Sequence, residues 1–274
     1  MRIFISADME GISGIVHPSQ LSPTGANYER GRLLMTGDVN AVVEGVLSVG
    51  ATEIVVNDSH WVQRNLLLDQ LHPRARLVSG STKELGMVQG VVGSDLAFFI
   101  GYHAKYGTPY AVADHTWSAP CLSDLRINGD SMGEVGLNAL LCGHFGVRIA
   151  MLSGDQALEA EAKALLPQAS VAVVKHATGR WAAECLSLED SRRLLRECAQ
   201  SATATAEQLQ PLSPPQPCEV EMELVTTEMA DRAQAIPTVQ REGGRVLRFT
   251  SEHILEAFHC FRTVMNAASI YTDF

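Results

Sequence analysis

Residues 2–7 (RIFISA) run straight into Asp8-Met9-Glu10-Gly11. In an extended chain, side chains two apart share a face, so Asp8 and Glu10 point the same way. Like charges held that close repel unless a proton or a metal cation sits between them. The same spacing recurs in Asp58-Ser59-His60, after the apolar run EIVV. A third apolar run, LAFFI, stops at Gly101-Tyr102-His103. Glu134 follows a glycine where a helical pattern begins, and there it either caps that helix or reaches into a crevice. Imidazole and carboxylate without thiolate suit catalytic zinc, manganese or cobalt. Jointly, these groups suit two zinc ions that share a bridging carboxylate. Asp58 reads as a turn residue or as an acceptor that orients His60.

His115 is the other candidate. It lies in Asp114-His115-Thr116-Trp117, within a segment that lacks strong periodicity. Loops carry catalytic groups disproportionately. A histidine that is not a ligand, near a metal site, could serve as general base or acid close to neutral pH. It also reads as a plain loop histidine. His17, His72, His144, His176, His253 and His259 have no comparable setting and read as surface or structural residues.

The elements that must position these groups alternate along the chain. Strands are expected over 2–7, 53–56, 76–78, 96–100, 147–153 and 170–174. Helices are expected over 28–49, from 134 to 141, over 156–165 and over 191–209. This alternation implies an α/β fold, a mostly parallel sheet with helices on both faces. In such a sheet the strands' carboxyl ends lie along one edge, where ligand crevices form. Asp8, Glu10, His60 and His103 can therefore converge although they are far apart in sequence. Leu212-Ser213-Pro214-Pro215-Gln216-Pro217 breaks any helix or central strand and reads as a linker. Strands over 219–225 and 244–249 and helices over 227–235 and 252–268 follow. The expected organisation is a catalytic α/β domain over 1–211, which carries the metal site, and a small C-terminal α+β appendage over 212–274.

Composition sets outer limits. The chain has 274 residues, 46% hydrophobic and 19% charged, which is globular rather than disordered. A net charge of −10 argues against a nucleic-acid surface, which needs clustered Lys and Arg. No apolar run approaches the roughly 20 residues of a membrane span. The apolar part of the N-terminus is too short for a signal sequence, so a cytoplasmic protein is expected. Six cysteines are scattered without CxxC or zinc-finger spacing and read as reduced, mostly buried thiols.

Six blocks occur in order: SADMEGISG (6–14), NYERGRLLMT (27–36), NDSH (57–60), LHPRARLVSG (71–80), GYHA (101–104) and GEVGLNA (133–139). Together they resemble the bacterial D-aminopeptidase family of zinc metallopeptidases. The resemblance is close over roughly the first 180 residues and looser over the Pro-rich junction and last helix. It implies a two-zinc aminopeptidase that removes N-terminal D-amino acids from short peptides. It maps the zinc ligands onto Asp8, Glu10, His60, His103 and Glu134, and the catalytic histidine onto His115. It also implies pentameric rings paired into a decamer around a chamber that encloses the active sites. The segment 116–124 (TWSAPCLSD) does not match securely and falls where substrate selectivity is expected. Two other classes share these residues: a metal-dependent amidase or deacylase on non-peptide amides, and a non-catalytic binding protein of the same fold. The last helix bears Ile254, Leu255, Phe258, Phe261 and Val264. Either it packs on its own domain or it presents an interface between copies.

Overall fold

β1 (Arg2–Ala7) is the strand on which the fold turns. After Arg2 its residues are all buried, and all but Ser6 are apolar, as a strand covered on both faces requires. In the computed structural model, which describes residues 1–269, the elements that follow are α1 (Pro18–Leu21), α2 (Tyr28–Ser48), β2 (Glu53–Asp58), β3 (Ala75–Val78), β4 (Leu96–Ile100), β5 (Leu122–Ile127), β6 (Asp130–Ser131), α3 (Glu134–His144), β7 (Arg148–Asp155), α4 (Gln156–Leu165), β8 (Ser170–Gly179), β9 (Ala182–Cys185), α5 (Leu188–Ala204), β10 (Cys218–Leu224), α6 (Thr227–Ala233), β11 (Gln240–Glu242), β12 (Val246–Ser251) and α7 (Ile254–Ser269).

The larger sheet has the order β3-β2-β1-β4-β7-β8-β9. Every pairing is parallel except that of β8 with β9. Side chains alternate between its two faces. Ile3, Ile5 and Ala7 pack with Val39 and Val42 of α2 and with Leu195 and Ala199 of α5. Phe4 faces the other way, into a core with Val135 of α3, Leu158 of α4 and Met222 of β10. Helices therefore cover both faces, as the sequence pattern predicts.

The chain leaves β1 for β2 and β3 on one side, then returns to β4 on the other. The β1/β4 boundary is the switch point at which open α/β sheets bind ligands. Two glycines let the loops beyond these strands meet there. A Cβ on Gly11 would lie 1.9 Å from the Tyr102 carbonyl oxygen. Gly101 has φ +74°, and a Cβ on it would lie 2.4 Å from the Asp8 carbonyl oxygen.

The second sheet is antiparallel, in the order β11-β12-β10-β5-β6. The expected appendage, 212–274, supplies β10, β11 and β12, whereas β5 and β6 come from 122–131. The two stretches of chain share one sheet and one core. The sequence pattern does not reveal β5 (LSDLRI), because it mixes charge and apolar residues and its partner β10 lies far along the chain. α5 begins at Leu188 rather than 191, because the Ser187 side chain caps it by accepting from Asp190 N–H. α7 buries Ile254, Phe258, Phe261 and Val264 within its own chain, so its apolar stripe does not argue for an interface. Among the described residues no helix is long and apolar enough to cross a membrane.

Candidate metal centre

The groups expected to meet do meet. Asp8 and Glu10 lie just past β1, His60 just past β2 and His103 just past β4, while Glu134 is the first residue of α3. His60 Nδ1 lies 3.3 Å from Asp8 Oδ1 and 3.1 Å from Glu10 Oε2. His103 Nε2 lies 3.5 Å from Asp8 Oδ2 and 3.6 Å from Glu134 Oε2. Asp8 thus turns one oxygen toward each imidazole. His115 joins from its loop, with Nε2 3.7 Å from Glu134 Oε1. The donor atoms of Asp8, Glu10 and His103 lie within 4.8 Å of one another, and so do those of His103, His115 and Glu134. Asp8, Glu10, His60, His103 and Glu134 are all buried; the His115 side chain keeps 18% of its surface open to a cavity of about 670 Å³.

Backbone carbonyls set the tautomer of each ring. His60 Nε2 faces the Leu21 carbonyl at 3.1 Å, and His103 Nδ1 faces that of Ala104 at 3.0 Å. His115 Nδ1 faces the Ala113 carbonyl at 2.8 Å. A carbonyl only accepts, so each of these nitrogens carries a proton, and the opposite nitrogen faces the carboxylates, where it either holds a second proton or, once that proton is displaced, offers a lone pair to a cation. This is how metal-ligating histidines are oriented.

Three carboxylates buried together need compensation. Burial, and then Glu10, push Asp8 up to about 7. Burial pushes Glu10 up as well, but His60 outweighs it and holds Glu10 well below its ordinary value. Burial pulls His60 and His103 down, yet Glu10 and Asp8 beside the first and Glu134 beside the second hold both well above theirs. Glu10 Oε2 and His103 Nε2 are buried without a hydrogen-bond partner. Oxygen and imidazole donors with orphaned inward atoms fit a divalent cation such as zinc.

A polar layer beneath the cluster joins the elements that deliver it. Tyr102 Oη lies 2.7 Å from Ser6 Oγ and accepts from Asn138 Nδ2 at 3.1 Å. Ser6 Oγ also lies 2.8 Å from Ser59 Oγ. Ser6 precedes Asp8 by two residues, Ser59 adjoins His60, Tyr102 adjoins His103, and Asn138 sits one helical turn beyond Glu134. Lys175 Nζ, fully buried, donates to the carbonyls of Glu10, Ile12 and Ile15 and so holds the loop after β1. Asp58 accepts from the Asn65 and Leu66 amides and the Asn65 side chain, which fixes the loop after His60 in a turn role. His17 caps α1, the helix whose Leu21 carbonyl orients His60.

Sequence reasoning missed several supports. Trp117 donates its backbone N–H to Glu134 Oε1 at 2.7 Å, and its ring packs edge-on against Phe258 and Phe261 of α7. Trp61, Ala113 and Trp117 hold φ of +42°, +53° and +62°, costly for non-glycine residues and clustered beside His60 and His115. Their side chains give no local signal for that conformation.

A switch-point crevice with this donor set and a cavity over it defines the class: a metal-dependent hydrolase built on an open α/β sheet. The chain belongs to the peptidase family M55, D-aminopeptidase, whose sequence profile matches residues 1–263. It is 35% identical over 276 residues to a D-aminopeptidase of Bacillus subtilis (strain 168), covering all of both chains. It superposes with a TM-score of 0.97, at 34% identity and full coverage of both chains, on the solved structure of the zinc-dependent D-aminopeptidase DppA from Bacillus subtilis, described as a self-compartmentalizing protease.

Proposed function

We propose that this enzyme is a zinc-dependent aminopeptidase that removes N-terminal D-amino acids from short peptides. Two zinc ions would be held by Asp8, Glu10, His60, His103 and Glu134. The observation that carries this reading is that each imidazole is fixed by a backbone carbonyl on one nitrogen and turns the other toward the buried carboxylates. When bound, the ions polarise a carbonyl and activate water for attack.

The chain's own residues supply the rest. His115 borders the cavity, and its Nδ1 is committed to the Ala113 carbonyl. Its Nε2 takes the proton of the attacking water and returns it to the leaving amine. Glu134 is fixed by the Trp117 N–H, so it keeps its place as charge shifts nearby.

The full-length likeness to a self-compartmentalizing relative supports a homo-oligomer, which we place as a decamer enclosing its active sites. Six free cysteines fit a reducing cytoplasm. The test is a panel of D- and L-alanyl dipeptides and simple acyl-amides on protein of measured zinc content, with light scattering for mass. Turnover confined to acyl-amides, or a fully active monomer, would replace this reading.

A further inference from the structure

The cavity over the donor cluster has carboxylates at its base and a single Lys or Arg, Arg180, among its described lining residues. Arg180 sits in the turn between β8 and β9. One edge of its guanidinium is fixed. Nε lies 2.8 Å from Asp114 Oδ1, and Nη2 donates to the Asp114 carbonyl at 2.9 Å. Asp114 is itself anchored by the Gly107 N–H at 2.6 Å. The neighbouring Trp181 ring lies 5.5 Å from Cζ. Guanidinium has five N–H groups. These contacts use two, and the Nη1–Nη2 edge has no partner among the described residues. The side chain remains 46% exposed. It is a planar fork, oriented in advance, of the kind that binds carboxylates through two hydrogen bonds.

A short peptide carries two charges, an ammonium beside the cleaved bond and a carboxylate at the far end. Arg180 is the group of the cavity lining that complements the second of these charges. Arg180 is tied to the residue before His115, and an extended chain advances about 3.3–3.6 Å per residue. A carboxylate one or two residues past a bond cleaved at His115 therefore falls in the neighbourhood of the fork. We infer that Arg180 holds the C-terminal carboxylate of di- and tripeptide substrates, so that a free and nearby carboxylate is part of what the enzyme recognises. This inference rests on the peptidase reading given above.

The test is a ratio, because Arg180 also clamps the backbone at 113–114. kcat/KM for D-alanyl-D-alanine is divided by that for D-alanyl-D-alanine amide, on zinc-loaded wild type, Arg180→Gln and Arg180→Lys. The wild-type ratio should be about tenfold or more, the size of a charge-assisted bond. It should fall close to one in Arg180→Gln, chiefly through KM for the acid. Arg180→Lys should lie between, since an ammonium keeps the charge but not the fork. Calorimetric binding of the non-cleavable reduced-bond analogues of both ligands should follow the same order. A wild-type ratio near one, or variants that lose acid and amide equally, overturns the inference. If the wild type cleaves neither compound, the peptidase reading fails, and the calorimetric ratio still decides the role of Arg180.

Discussion

The imidazoles of His103 and His115 lie stacked, their centroids 4.0 Å and their planes 11° apart. A charge on one opposes a charge on the other. His103 sits against Glu134, which holds it well above its ordinary value despite burial. Burial, and then His103, push His115 down. His115 is thus the ring kept neutral, with its Nε2 lone pair free to accept a proton.

His115→Ala should lower kcat by about 10²-fold, the usual size of an acid–base contribution. Zinc content by elemental analysis should match wild type. Loss of zinc along with activity would make His115 a ligand instead.

His103→Ala should behave in the opposite way. His103 belongs to both groups of converging donors, so its loss should reduce bound zinc to one equivalent per chain or fewer. A folded variant that retained full metal content would remove His103 from the site.

Metal-stripped protein should lose stability as pH rises from about 6.5 to 8. Asp8, His60 and His103 all have folded pKa values raised above their unfolded ones. The native state therefore binds more protons than the unfolded chain in this window, and stability falls as they leave. Glu10 and Glu134 are shifted downward, so their contribution is complete above about 4.5. His115, also shifted downward, contributes fully above 6.5. Buried Lys83 and Lys175, lowered to about 8, add stability only as pH rises further. Melting curves at pH 6.5 and 8 should show the drop in chelated protein and its reduction or reversal with zinc, whose binding displaces those protons. Equal pH dependence with and without zinc would contradict the assignment.

Gly11→Ala should destabilise the fold by about 2–4 kcal/mol, because the new Cβ overlaps the Tyr102 carbonyl and both strand-end loops must separate. Zinc affinity should fall with it, since Asp8 and Glu10 ride on that loop. Denaturant titration and zinc competition would measure the two effects. Unchanged values in both would show the loops to be more compliant than the geometry implies.

Tyr102→Phe should cost about 1–3 kcal/mol by leaving Ser6 and Asn138 without their shared buried partner. Because that hydroxyl joins strand ends to α3, kcat should fall more than KM rises. A variant with wild-type stability would show that water replaces the hydroxyl.

By itself the sequence determined the alternating elements and the mostly parallel sheet, and it named as candidates the groups that the fold brings into the cluster. The reason is physical. RIFISA, EIVV and LAFFI are buried strands that name themselves by composition, and each is followed within three residues by a ligand-type side chain: Asp8, Asp58 and His103. Chain connectivity then puts those ends on one edge. What tertiary structure decided is what local pattern does not encode. Helix α1 is only four residues long, yet its last carbonyl orients His60. β5 acquires its strand identity from β10, about a hundred residues away. The left-handed backbone at Ala113 and Trp117 is imposed by the packing around it, including α7 against the Trp117 ring, and it sets both the His115 tautomer and the Glu134 contact. Ligand types are one-residue properties and can be read along the chain. Their orientation is a property of carbonyls and amides brought from elsewhere, and only folding assembles those.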